Sequence, residues 1–209
     1  MRLKRFLAKA PIFLMCLVPV VWLAWAAVQG RLGANPISVI TKETGTWALR
    51  FVVLTLAVTP LRRLAGWNML VRYRRMLGLF AFFYGTLHFV TYIWLDQFFD
   101  TASIVKDVIK RPFITVGFTA FVLMVPLALT STTGWIRRLG GKRWQTLHRL
   151  VYATAVLGVV HYWWLVKADI SRPLTYGAIV ATLLATRVAF RLKPKVAPRR
   201  VPAPNTRAV

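Results

Sequence analysis

The chain has 209 residues, 57% of them hydrophobic, with 9 Trp, a mean hydropathy of +0.57 and a formal charge of +24. That length suits one domain, but the apolar residues fall in runs of the ~17–25 residues that a helix needs to cross a bilayer, which excludes an ordinary soluble fold. The 29 Lys and Arg, against 5 Asp and Glu, cluster between those runs, which is the pattern of membrane topology and argues against nucleic acid as a partner.

The first apolar run, 10–28, follows Arg2, Lys4, Arg5 and Lys9. It holds the single cysteine, Cys16, which can form neither an internal disulfide nor a thiolate zinc site and reads as apolar packing. A basic head and Ala24-Trp25-Ala26 loosely resemble a cleavable signal, but the length of the run and Pro11 and Pro19 favour a retained helix. The next run, 48–62, is the weakest, because Arg50 and Arg62 bracket it tightly. Further spans are expected at 76–95, 113–131, 147–166 and 174–191. Trp67, Trp94, Trp135, Trp144, Trp163 and Trp164 lie near span ends, where indole rings anchor at the interface. Residues 194–209 alternate Pro with basic residues, so a disordered cytoplasmic tail is expected beyond a membrane domain of 1–193. The fold class is therefore an all-α membrane protein, a bundle of about six transmembrane helices.

Placing the N-terminus in the cytoplasm puts 21 of the 29 basic residues on that side. All five acids (Glu43, Asp96, Asp100, Asp107 and Asp169) fall on the other. The asymmetry in Lys and Arg predicts cytoplasmic N- and C-termini. The outer loops are then 30–47, 96–112 and 167–173.

Only three histidines occur, His88, His148 and His161, and all lie in expected spans or at their ends. Ionisable side chains at membrane depth are costly and usually have a partner or a function. A single such histidine reads equally well as a packing or interfacial residue; three at related depths read as a site. His88 lies 13 residues past Arg75, and His161 lies 13 residues past His148. At about 1.5 Å per residue both climb roughly 20 Å, to one height in the outer half of the membrane. Two neutral imidazoles on facing helices at one height can clamp an iron axially, and haem supplies the other four positions. His148 sits lower and points about 140° away from His161 on an ideal helix, so the two do not grip one iron. A second haem at His148 would find Arg74 and Arg75 at the matching height on the third span.

Arg74, Arg75, Arg143 and Arg149 could hold propionates or a flavin phosphate, although topology alone accounts for them. Gly78, Gly85 and Gly158 would permit close helix or macrocycle approach. There is no dinucleotide or P-loop motif and no buried carboxylate relay, so electrons would come from and go to separate partners.

The segments ALRFVVLTLAVTPLRR (48–63), RRMLGLFAFFYGTLHFVTYIW (74–94) and KRPFITVGF (110–118) resemble the MsrQ family, formerly YedZ. So do PLALTSTTGWIRRLGGKRWQTLHRLVY (126–152) and HYWWLVKAD (161–169). The family consists of haem-binding membrane subunits within the ferric-reductase-like transmembrane group, and the likeness covers about residues 30–190. The resemblance implies a multi-pass protein of the bacterial inner membrane that takes electrons from the quinone pool or a cytosolic flavin reductase. It implies haem b, one or two, and FMN as cofactors. The implied acceptor is MsrP, the periplasmic molybdopterin enzyme that reduces methionine sulfoxide in oxidised envelope proteins. By motif, the resemblance assigns the axial ligands to His88, His148 and His161. The chain lacks the fourth histidine and the flavin–nucleotide domain of the oxidase relatives. Two other classes fit the residues alone: a haem-free transporter with a histidine proton relay, and an anchor that recruits a partner through its basic loops.

Overall fold

The computed structural model describes residues 9–166 and 168–192, so the expected tail at 194–209 and the basic head before Lys9 lie outside the described residues. Among the described residues there are eight α-helices and no strand.

Helix α1 (Ala10–Val28) has Pro11 in its first turn, where a missing N–H costs nothing, and ends ahead of Gly30 at φ +65°. Helix α2 (Pro36–Leu64) starts behind Asn35, whose side chain accepts the Ser38 N–H at 3.0 Å. A 3₁₀ turn (Asn68–Leu70) leads into α3 (Val71–Thr91), which continues as a π-helical turn over Tyr92–Asp96. Helix α4 (Thr101–Lys110) is capped by Asp100 and followed directly by α5 (Pro112–Leu129). Helix α6 (Thr133–Leu147) bends at Gly140, whose φ of +72° no ordinary helical residue adopts. Helices α7 (Leu150–Leu165) and α8 (Ser171–Leu192) complete the bundle.

Five of these segments are long and apolar enough to span a membrane: α1, α2, α3 with its flanking turns, α5 and α8. The sixth expected span is α7, whose 16 residues rise only about 24 Å, short of a hydrocarbon core of about 30 Å. The second span departs most from expectation. It begins at Pro36 and not near 48, because Lys42 and Glu43 lower the local hydropathy without interrupting the helix. The expected outer loops at 30–47 and 96–112 therefore contain the first turns of α2 and all of α4.

Two antiparallel pairs carry the architecture: α2 runs along α3, and α5 along α7. Contacts between α3 and α5 and between α2 and α7 join them, and α8 packs on both α2 and α7. Phe51, Phe80 and Tyr84 stack at 5.2–5.6 Å in the core beside the fully buried Leu56 and Ala155. Leu14, Met15 and Trp22 on α1 face outward, as lipid-facing residues do.

Two side chains bind helix backbone close to intrahelical prolines. The Tyr84 hydroxyl donates to the Cys16 carbonyl at 2.8 Å and accepts the Val20 N–H at 3.2 Å, bridging α1 beside Pro19 and burying Cys16 as expected. Pro60 has no N–H to offer the carbonyl four residues earlier, Leu56, and Arg187 Nη2 donates to that oxygen at 2.7 Å.

Candidate functional site

The two helix pairs each position one histidine. His88 projects from α3 toward α2, where its Nδ1 lies 2.8 Å from the Thr41 carbonyl oxygen. His161 projects from α7 toward α5, with Nδ1 2.7 Å from the Phe113 carbonyl oxygen. A carbonyl oxygen only accepts, so in both rings Nδ1 carries the proton and Nε2 keeps its lone pair. A metal-binding imidazole whose other ring nitrogen donates to a protein oxygen has this tautomer.

The rings lie with centroids 6.0 Å apart and planes at 73°. Metal–nitrogen bonds of about 2 Å on each side, plus roughly 1.1 Å from nitrogen to ring centre, place two axial imidazoles about 6 Å apart across one metal. The donor set therefore fits axial ligation of a haem iron: two neutral imidazoles from different helix pairs, each already fixed in tautomer. The equal heights expected from sequence spacing are met by this contact.

Close approach to the neighbouring backbone depends on two glycines that the sequence reading passed over. A Cβ on Gly117 would lie 2.5 Å from His161 Nδ1 and 2.7 Å from Cε1. A Cβ on Gly45 would lie 3.0 Å from the same two atoms of His88. Each glycine stands four residues after the carbonyl that its histidine uses, Thr41 before Gly45 and Phe113 before Gly117. Each ring therefore beds into a groove one helical turn long. The glycines singled out from sequence, Gly78, Gly85 and Gly158, meet their neighbours only at ordinary distances of 3.5–3.7 Å.

His148 stands apart from this pair, at the junction of α6 and α7. Its Nε2 lies 3.0 Å from Thr130 Oγ1, whose own proton goes to the Pro126 carbonyl at 2.6 Å. Trp144 stacks on the imidazole at 3.9 Å between centroids and donates its indole N–H to the Thr130 carbonyl at 2.9 Å. Trp144 is thus a packing partner of His148. Trp67, Trp94 and Trp164 are exposed, as anchors require. Arg74 lies within Coulombic range of His148; Arg75, Arg143 and Arg149 make no contact with the two opposed rings.

Residues 44–159 match the family model described as ferric reductase like transmembrane component. Relatives bearing the name protein-methionine-sulfoxide reductase heme-binding subunit MsrQ align over nearly the whole chain. The one from Herminiimonas arsenicoxydans is 59% identical over 87% of this chain and 84% of its own. That from Azospira oryzae is 56% identical over 88% and 80%, and that from Xanthomonas campestris pv. campestris 48% over 94% and 93%. The chain belongs to the MsrQ family. It is accordingly a multi-pass membrane protein of the ferric-reductase-like type, as its apolar helices require. No solved structure matches it.

Proposed function

We propose that this chain is the membrane electron-transfer subunit of a protein-methionine-sulfoxide reductase system, with His88 and His161 as the axial ligands of one haem b. The observation that carries the reading is the opposed pair: two imidazoles 6.0 Å apart, each with Nδ1–H given to a carbonyl of the partner helix. When bound, the haem supplies a one-electron carrier whose potential is tuned by axial ligands and burial. The chain's residues hold the rings in one tautomer, bring two helix pairs to a fixed spacing and shield the site with apolar side chains.

In this reading the arginine-rich end faces the cytoplasm of the bacterial inner membrane. Electrons enter from a membrane quinol, from FMN or from a cytosolic flavin reductase, and leave at the opposite end to periplasmic MsrP. His148 is the candidate ligand of a second haem, and a haem there has to displace the Thr130 hydroxyl from Nε2. A proton relay through the histidines is disfavoured, because both Nδ1 protons are donated to backbone carbonyls that pass none onward.

The test is a reduced-minus-oxidised absorption spectrum with haem quantified per chain. Sharp b-type bands lost in both His88→Ala and His161→Ala are the expected result. Full haem retained in both variants would overturn the pairing. One haem per chain leaves His148 in its Thr130–Trp144 contact, and two assign it an iron.

A further inference from the structure

Helix α4, between α3 and α5, has one face fixed to the bundle and one face turned outward. The fixed face centres on the buried Asp107. Its Oδ2 accepts the Tyr92 hydroxyl at 3.2 Å and the Gln97 side-chain amide at 3.3 Å, and its Oδ1 pairs with Arg111 Nε at 3.2 Å. The Thr115 hydroxyl donates to the Val108 carbonyl. These bonds tie α4 to the ends of α3 and α5, one turn past His88 and two residues past Phe113. The outward face presents Val105 and Ile109, and the turn before it presents Phe98 and Phe99. All four are exposed, Phe98 at 78%, so packing within the chain does not account for them.

Chain continuity sets the level of that face. The 18 residues of α5 rise about 27 Å, so all of them are needed to cross a hydrocarbon core of about 30 Å. Pro112 therefore stands at the edge of the hydrocarbon, and only Arg111 separates it from α4. That places α4 among the lipid headgroups, where an amphipathic helix beds its apolar strip roughly 5–10 Å into the acyl boundary. Lys106 and Lys110 are exposed one turn apart beside the strip, and such side chains lay their stems on apolar surface with the ammonium in the polar layer. Phe98 and Phe99 have φ of +48° and +61°, a region that bulky residues rarely enter. Such strain persists only where the surroundings hold it, and exposed rings find no such surroundings within the chain. Residues 96–112 carry Asp96, Asp100 and Asp107 against Lys106, Lys110 and Arg111, so they present no field of one sign to recruit a charged protein.

We propose that α4 with Phe98 and Phe99 is a phospholipid-binding anchor. Both rings, Val105 and Ile109 enter the acyl boundary, and Lys106 and Lys110 meet the lipid phosphates. The anchor holds the end of the bundle that lies over the opposed histidines. It does not depend on haem; only its assignment to the outer leaflet rests on the orientation proposed above.

The experiment attaches a nitrobenzoxadiazole maleimide to Val105→Cys or Ile109→Cys, each in the full chain with Cys16→Ser, in phosphatidylcholine nanodiscs. Asp169→Cys, in the exposed loop at the same end of the bundle, is the aqueous reference. Lipids with a nitroxide high on the acyl chain should quench the labels at 105 and 109 several-fold more than iodide does, with the reverse order at 169. Joint replacement Phe98→Gly and Phe99→Gly relieves the left-handed strain, yet it should raise iodide access to the label at 105 several-fold. Monodisperse elution, which does not depend on haem, shows that each variant has folded. Iodide quenching at both 105 and 109 that matches 169 would overturn the proposal. So would iodide access that closes only when the purified catalytic reductase subunit is added, which gives the face to a protein partner. Unchanged iodide access in the double-glycine variant would overturn the assignment of the two rings to lipid.

Discussion

Replacing Gly117 by alanine tests the candidate site at its tightest point. The added methyl carbon would stand 2.5 Å from His161 Nδ1, where ordinary contact begins at 3.4 Å, so the ring must withdraw by about 0.9 Å. Withdrawal from α5 stretches the 2.7 Å bond to the Phe113 carbonyl beyond the ~3.2 Å limit of a good N–H···O bond. Losing the oxygen that accepts a ligating histidine's other N–H costs about 10–100-fold in metal affinity. Overpacking adds about 1–3 kcal/mol. Gly117→Ala should therefore bind haem at least tenfold more weakly, with low-spin bands giving way to a high-spin spectrum. At Gly45 the corresponding shift is only about 0.4 Å, from 3.0 Å, and the 2.8 Å bond to Thr41 survives it, so Gly45→Ala should be milder. Gly85→Ala, whose methyl would meet Met124 at 3.7 Å, is the control and should match the unaltered protein. The assay is haem content per chain with the reduced-minus-oxidised spectrum, at matched detergent and yield. Normal haem content in Gly117→Ala, or equal loss in Gly85→Ala, would refute the reasoning.

Other perturbations read other parts of the fold. Tyr84→Phe removes two hydrogen bonds to α1, costing roughly 1–3 kcal/mol, and should speed labelling of the buried Cys16 by a maleimide several-fold; an unchanged labelling rate would mean that α1 does not depend on this bridge. Arg187→Met strands the Leu56 carbonyl at a cost of about 1–3 kcal/mol, and Pro60→Ala should relieve much of it by restoring an N–H four residues on; strict additivity in the double mutant would contradict that account. The Asp100 carboxyl is held below its ordinary value by the Ser103 hydroxyl, with the Ser103 and Ala102 N–H groups adding to it. Its cap on α4 is therefore complete above the unfolded value near 3.8 and fades as the pH falls through the lower folded value. Amide exchange at Ala102 and Ser103, measured at pH 5 and again about two units lower, should show relative protection falling; unaltered protection would remove the cap's role.

Hydropathy, charge asymmetry and histidine spacing are one-dimensional signals, and the spans and the His88–His161 pairing follow from them directly. A 13-residue offset repeated in two helices translates into height without any knowledge of neighbours. The start of α2 was hidden because Lys42 and Glu43 lower a windowed hydropathy, although a helix capped at Asn35 carries them easily. Gly45 and Gly117 were hidden for a different reason. Their role depends on which helix lies across from each histidine, a matter of tertiary pairing that spacing along one chain does not encode. His148, whose surroundings come from Thr130 and Trp144 on other segments, was legible in depth but not in environment.

The crossed arrangement of these contacts links ligand geometry to the packing of the whole bundle. Each histidine gives its Nδ1 proton to a helix other than its own, His88 to α2 and His161 to α5, so the imidazole orientation is a property of a helix pair. Helices α3 and α7 share little direct backbone contact, and their opposed rings meet beside the Phe89–Phe118 and Phe89–Phe121 contacts that join α3 to α5. A metal held by both rings would act as a cross-link between pairs otherwise joined through α3–α5, α2–α7 and α8. Ligand binding that requires this spacing stabilises it by mass action. Loss of either histidine should therefore loosen the bundle and remove the cofactor together. The cleanest separation of the two effects is a non-ligating side chain of similar volume, such as His161→Gln, compared with His161→Ala for melting temperature at equal, zero haem content. If the two melt alike and far below the haem-loaded protein, the lost stability belongs to the cross-link. If His161→Gln melts close to the haem-loaded protein, packing of the ring, and not ligation, joins the two halves.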